Sequence, residues 1–444
     1  MAMGPAKGRE ATRQMEVACL DELVPVDELY RRIDAVVDWR FVREAAAPYY
    51  GDALGRPSVD PIVLIKLILA GALEGIGSMR ELLRVAPLRL DLRRFLGYGL
   101  GERLPAHQTV SEAHSRRFVE GALFERLFLR TVSLCAEHGL LDGTHLSVDG
   151  FHAEADAALE SLRASLALLP APETAAAAAE ECEPPPSAPP QLALAEPRAG
   201  PTPKRRSSNA TAASRTDPDA KLRGKPGQRP HLVHRGQVAI DPKARCVVAC
   251  LGEGAAGYEG DSLAPILDRA RFACPQLASV GADQGYAAER VYKDARQRRL
   301  RAYISPQKTM LPPTGSEPRT GAEREALAAR ARCKSATGIW AHQRRMADAE
   351  GVISELKLQH ALGRARCRGT PLFHLQLLLG CAAINLKRLA KHVPQAACEV
   401  AAASTRPENT AAQAHAPQPP ARCTDSKLPC TGERRLWTVA LRLN

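Results

Sequence analysis

Two stretches decide how this chain folds: residues 145–150, HLSVDG, and residues 277–286, LASVGADQGY. Each carries a short, apolar, β-prone run into an aspartate, Asp149 in the first and Asp283 in the second. A third acidic residue, Glu350, lies in residues 344–357, RRMADAEGVISELK, where the pattern is helical. Two strand ends and one helix face are enough to gather three distant carboxylates around divalent metal. Carboxylate oxygens are hard ligands suited to Mg²⁺, which prefers octahedral oxygen coordination and keeps positions for water and phosphate. Two Mg²⁺ or Mn²⁺ ions activate a water or hydroxyl and stabilise the leaving oxygen of an in-line displacement, so no side-chain nucleophile is required. Taken singly, each acid has a plainer reading. Asp149 and Asp283 are also ordinary turn aspartates at strand ends, Glu350 is also a helix surface charge, and the chain has 49 Asp plus Glu. The local context of each acid carries the reading.

Helix geometry bears on the third carboxylate. At about 100° per residue, a step of seven returns to within about 20°, so Glu350 and Lys357 share a face two turns apart. Met346, Ala349, Ile353 and Leu356 form an adjoining apolar stripe expected to pack on a sheet, which puts Glu350 at the border of core and cleft. Glu355, about 140° round from Glu350, is expected to face solvent.

The chain has 444 residues, enough for two or three domains. Its formal charge of +12 favours a polyanionic partner, nucleic acid first. The opening residues, MAMGPAKGRE, lack the apolar core of a signal peptide, and the apolar run PIVLIKLILAGALEG is interrupted by Lys66 and too short to span a membrane. The expected location is the cytoplasm. The 12 cysteines contain no C-x-x-C pair and read as reduced, structural thiols with no metal role.

Residues 16–140 read as an all-helical, DNA-binding domain. Asp60-Pro61 is an N-cap and first-turn pair, and Ser78 with Glu81 and Thr109 with Glu112 fit capping boxes, which predicts helix starts near 61, 79 and 110. Between them the basic stretch RVAPLRLDLRRFLGYGLGERLP is broken by proline and glycine. Arg84, Arg89, Arg93, Arg94, Arg116 and Arg117 would set a helix against DNA in a helix-turn-helix reading; the alternative is a bundle with a solvated basic face. Residues 141–393 read as α/β. A strand over Thr144–Val148 ends in Asp149, and LVHRGQVAID and RCVVACLG flank a turn at Asp241-Pro242 as an antiparallel hairpin. Helices and strands then alternate through two long C-terminal helices, giving a mixed sheet covered by helices. Residues 158–230 read as a flexible insertion that carries Lys204, Arg205 and Arg206, and residues 394–444 as a low-complexity tail.

Residues 58–82, 104–118, 146–157, 215–227, 281–292, 344–369 and 381–391 form an ordered motif series, from SVDPIVLIKLILAGALEGIGSMREL through LSVDGFHAEADA, RTDPDAKLRGKPG and GADQGYAAERVY to CAAINLKRLAK. In that order they resemble the DDE transposases of bacterial insertion sequences. The resemblance implies an N-terminal helical domain followed by a ribonuclease-H-like catalytic domain of the retroviral-integrase kind. It implies Asp149, Asp283 and Glu350 as the metal-binding triad and Lys357 as an auxiliary phosphate contact. In that pattern a tyrosine and an arginine precede the glutamate; here Arg344 and Arg345 are present, Met346 stands four before Glu350, and no tyrosine is near. Arg345, Arg364, Arg366 and Arg368 are further candidate DNA contacts, and Lys308, Arg319, Arg324, Arg330, Arg332 and Lys334 precede the triad helix as another basic group. His152 reads as a local hydrogen-bonding residue, and Asp156 and Asp217 as structural. The expected activity is metal-dependent cleavage and strand transfer on double-stranded DNA by a homodimer associated with the nucleoid. The alternatives are a DNA-binding derivative that no longer cuts and a nuclease of the same fold.

Overall fold

A computed structural model of the chain describes residues 17–50, 58–112, 123–164, 209, 212–224 and 229–392. Its N-terminal part is helical: α1 (Leu20–Leu23), α2 (Leu29–Val36), α3 (Arg40–Ala46), α4 (Pro61–Leu73), α5 (Met79–Val85), α6 (Leu90–Leu96), α7 (His107–Glu112) and α8 (Leu123–Glu137). Two expected starts hold. Asp60 accepts the Ile62 N–H at 2.9 Å to open α4, and Ser78 accepts the Glu81 N–H at 3.4 Å to open α5. The third does not, because α7 begins at His107 and Thr109 lies inside it. Arg116, Arg117 and Lys204–Arg206 lie outside the described residues, as does the tail from 394 onward.

Lys66, the charge that interrupts the apolar run of α4, is a fastener. Its ammonium reaches Asp34 of α2 at 2.7 Å and the Phe95 carbonyl of α6 at 3.0 Å, and lies over the Phe95 ring at 4.6 Å. A half-buried ammonium so fully partnered joins three helices through one side chain.

The sheet is built from β1 (His145–Glu154), β4 (Lys221–Arg223), β5 (His231–Asp241), β6 (Cys246–Gly254), β7 (Ser279–Ala282) and β8 (Arg301–Tyr303); β2 (Leu162–Ala164) and β3 (Ala212–Ser214) pair apart from it. β6, β5 and β1 run antiparallel in succession, β7 and β8 continue parallel to β1, and β4 extends the β6 edge of β5. The hairpin expected at Asp241-Pro242 is β5 and β6. β2, β3 and β4 fall within the insertion expected at 158–230, so its flanks are built secondary structure. The helices of this half are α9 (Leu263–Ala270), α10 (Glu289–Gln297), α11 (Gly321–Lys334), α12 (Ala336–Gln359) and α13 (Thr370–His392). α12 packs on β1 and β7, and α13 packs on β6 while also touching α2, α4 and α8. One hydrophobic core therefore runs from Tyr30 through the sheet to Ala390.

Asn385 of α13 closes the edge of that sheet. Its amide oxygen accepts the Val247 N–H at 2.9 Å, and its amide nitrogen donates to the Val247 carbonyl at 2.9 Å and to Thr131 of α8 at 3.3 Å. The side chain supplies what a further strand would supply, at the position where the β5–β6 register shifts. Replacing Asn385 with Ala strands a buried N–H and a buried carbonyl, each worth about 1–3 kcal/mol. We expect Asn385→Ala to lower unfolding free energy by about 2–4 kcal/mol in urea titration; a change below about 0.5 kcal/mol would remove the clamp from this account.

Candidate active site

The parallel register of β1 with β7 pairs Ser147 with Gly281 and Val148 with Ala282. Asp149 and Asp283 are the next residue on each strand, so their backbones stand side by side, about one strand spacing apart. There β1 loses β7 as a neighbour but continues to Glu154 against β5, with Asp149 opposite Val238. The expectation that this strand ends in Asp149 is corrected: the antiparallel ladder to β5, contributed from some 90 residues away, carries it on. Up to Val148 the strand is buried on both faces; beyond Asp149 burial alternates and one face opens. The exposed face of β1 begins where the parallel ladder stops.

Asp149 is held from two sides. One oxygen accepts the Gly150 N–H at 2.8 Å, and the other accepts from the Arg345 guanidinium at 2.7 Å. The same guanidinium stands 3.8 Å from Asp283. The Asp149 side chain is 17% exposed, that of Asp283 56% and that of Arg345 8%. Burial raises the Asp149 carboxyl above its ordinary range, and the charge of Asp283 adds to this; the Gly150 N–H and Arg345 oppose it.

Behind the pair, Gln237 of β5 lies opposite Gly150, and its amide oxygen accepts from the Tyr286 hydroxyl. A Cβ on Gly150 would sit 3.0 Å from that amide. Gln237 thus joins the β1 strand just past Asp149 to the turn after Asp283. Sequence reading passed over both residues; the available signal was a run of polar side chains, His234, Arg235 and Gln237, inside an otherwise apolar strand.

α12 lies along β1. The Ala341 carbonyl is near Gly281 at one end, and Lys357 lies over the Phe151 ring at 5.5 Å near the other. Glu350 falls between these points and is exposed. Its expected orientation needs correcting. The buried face of α12 carries Ala341, Arg345, Asp348, Ala349, Val352 and Leu356, whereas Met346 is exposed and Ile353 only partly buried. Arg345, five residues before Glu350 and about 140° round the helix, is the residue turned to the aspartates. Asp348 is buried between Arg245 at 3.1 Å and Arg344 at 3.0 Å. Glu355 does not face solvent: it pairs with Arg388, and its carboxyl is pulled down to about 2, burial being outweighed by His360 and Arg388.

A divalent cation fits the aspartate pair on two counts: the donors are hard oxygens, and the position between them already holds a positive group. Three donors are not gathered, however. Among the described residues no group of three His, Cys, Asp or Glu side chains is close enough to hold a metal ion. Asp149 and Asp283 come together and Glu350 stays apart from them.

The basic residues divide. Arg93 is buried and spends its guanidinium on the carbonyls of Pro87, Gly99 and Glu102, which corrects its reading as a DNA contact. The proline and glycine breaks of that stretch leave carbonyls without helical partners, and Arg93 satisfies them. Arg94 pairs with Asp21 at 2.6 Å, Arg84 with Glu81, and Arg89 with Glu74 and Asp91. Arg366 is partly buried and lines a pocket with Ile68, Gly77 and Met79. Arg364 and Arg368 remain exposed, sharing Asp156 at 3.9 and 3.5 Å. Asp217 is structural as expected, bonded to His234 at 2.9 Å.

Two family models match the chain: Transposase domain (DUF772) over residues 18–116, and Transposase DDE domain over residues 315–390. Both matches are to transposase domains and support the resemblance to the DDE transposases of insertion sequences. No curated protein and no solved structure matches it. The second match contains α12 with Glu350 and Lys357 but begins beyond Asp149 and Asp283, so the aspartate pair rests on the β1–β7 register. Among the described residues no helix is long and apolar enough to cross a membrane.

His145, at the start of β1, is buried against Trp340 of α12, with Nδ1 2.8 Å from the Ser279 hydroxyl. Burial, with Arg344 nearby, pushes its imidazole down to about 4 from 6.5. The folded chain keeps it neutral while the unfolded chain protonates it. This contribution to stability is fully present above about pH 6.5, falls as pH drops toward 4, and is level below that, a loss of about 3 kcal/mol at most. We expect the urea midpoint of wild type to fall across that window and His145→Phe to flatten the slope; parallel curves would remove His145 as its source.

Proposed function

We propose that this transposase binds the inverted-repeat ends of its insertion sequence, cuts the phosphodiester backbone with activated water, and joins the freed 3′-hydroxyl to target DNA. The observation that carries the reading is the placement of Asp149 and Asp283 side by side, where β7 leaves β1. The strand order supports a ribonuclease-H-like reading of the sheet: three antiparallel strands in succession, then two parallel ones, with helices packed on it. Asp149 and Asp283 would hold Mg²⁺ or Mn²⁺, and Glu350 is the third ligand this reading calls for. Bound metal would supply charge for the attacking and leaving oxygens. The chain's own residues do the rest. Gly150 and the Gln237–Tyr286 bond fix the aspartates, and Lys357, Arg364 and Arg368 offer cations to DNA phosphates along the continuation of β1. Pairing two element ends calls for a homodimer on DNA, and the substrate places the enzyme on the nucleoid.

One observation favours a second reading, a DNA-binding protein that no longer cuts: α12 presents Arg345, and not Glu350, to the aspartates. Supercoiled plasmid bearing the element ends, incubated with Mg²⁺ or Mn²⁺, separates the two. End-specific cleavage and joining are expected from wild type. Asp149→Ala should reduce cleavage by about 10³-fold or more while end binding by gel shift persists. Binding without cleavage by wild type would favour the second reading, and cleavage retained in Asp149→Ala would take that residue out of the chemistry.

A further inference from the structure

The aspartate pair is bridged by a side chain of the protein itself, and the inference drawn from this rests on the metal-site reading above. Two carboxylates on neighbouring strands repel, and partial burial of Asp149 makes the repulsion costlier than in water. Arg345 answers it, 2.7 Å from Asp149 and 3.8 Å from Asp283, with little of its own surface exposed. The positive charge therefore stands where a divalent ion bridging the pair would stand. Asp149 keeps its bond from the Gly150 N–H at 2.8 Å whether or not the guanidinium is present, so its orientation does not depend on Arg345. We propose that Arg345 is the resident counter-ion of Asp149 and Asp283, and that a divalent metal binds the pair by displacing it. Metal affinity is then set against an internal ion pair, and the metal-free fold carries its own substitute for the missing charge. Arg345 acts in this role through its charge, balancing the two carboxylates until metal replaces it.

The test is Mn²⁺ binding by full-length protein without DNA, followed by the electron paramagnetic resonance signal of free Mn²⁺, with thermal unfolding measured in parallel. Compared with wild type, Arg345→Gln should bind Mn²⁺ roughly tenfold more tightly, since the competing cation is gone. Its metal-free form should melt lower and gain more from added Mn²⁺ than wild type does. Arg345→Lys, which keeps the charge but loses the forked geometry, should fall between the two, and it decides the matter if the Gln variant does not fold. Equal or weaker Mn²⁺ binding in folded Arg345 variants overturns the counter-ion role while leaving the metal site standing. Absence of Mn²⁺ binding in wild type and variants alike, or binding undiminished in Asp149→Asn, overturns the metal reading and this inference with it.

Discussion

Parallel pairing of β1 with β7 sets two carboxylates side by side where their shared ladder ends, and much of the α/β half is arranged around that constraint. Two negative charges about 5 Å apart repel by a few kcal/mol at the effective dielectric of a protein surface. No apolar packing offsets this. The fold lays a helix along β1 that delivers a guanidinium between the acids, and it anchors the turn after Asp283 to β5 through Gln237 and Tyr286. Gly150 is small because the Gln237 amide fills the space beside it.

The same logic explains the odd character of α12. A helix on a sheet ordinarily buries an apolar stripe, but this one buries Arg345 and Asp348 on the face that also carries Ala349, Val352 and Leu356. Each charge has its partner on another element: Arg345 on β1, Asp348 on the β5–β6 turn, and the half-buried Glu355 on α13. Buried ion pairs add little net stability, yet stranding one member is costly, so together they fix the rotation of the helix more firmly than interchangeable aliphatic contacts would.

That substitution of charge for apolar contact limits what the amino-acid pattern reveals. The β-prone runs, the hairpin at Asp241-Pro242 and both long C-terminal helices were legible, because local periodicity and turn chemistry specify them. The orientation of α12 was not. Met346 and Ile353 complete an apolar stripe by spacing, but the stripe that packs uses Val352 and leaves Met346 outside. Arg93 misled for a related reason. It looks like one more basic surface residue, and only the tertiary fold shows three backbone carbonyls aimed at it. The length of β1 was hidden as well, since the partner that extends it past Asp149 lies far off in the chain.

The N-terminal helices and the aspartate pair are joined through the ends of α4 and α12. Gly75, just past α4, has φ +67°, and a Cβ there would meet the Gln359 carbonyl at 2.4 Å. One residue on from Gln359, the His360 ring lies 2.7 Å from the Ala72 carbonyl of α4. α4 lies in the segment that matches the transposase domain model, and α12 carries both Arg345 and Glu350. Backbone against backbone, with no side chain between to absorb a displacement, is a stiff contact. A displacement of α4 would therefore reach the C-terminal end of α12 directly. Because Arg345 and Glu350 differ by about 140° of rotation on that helix, a change in its seating alters which of them stands nearest the aspartates. The seating of α12, which sets Arg345 beside the aspartates, is thus tied to the N-terminal helices at one helix–helix contact.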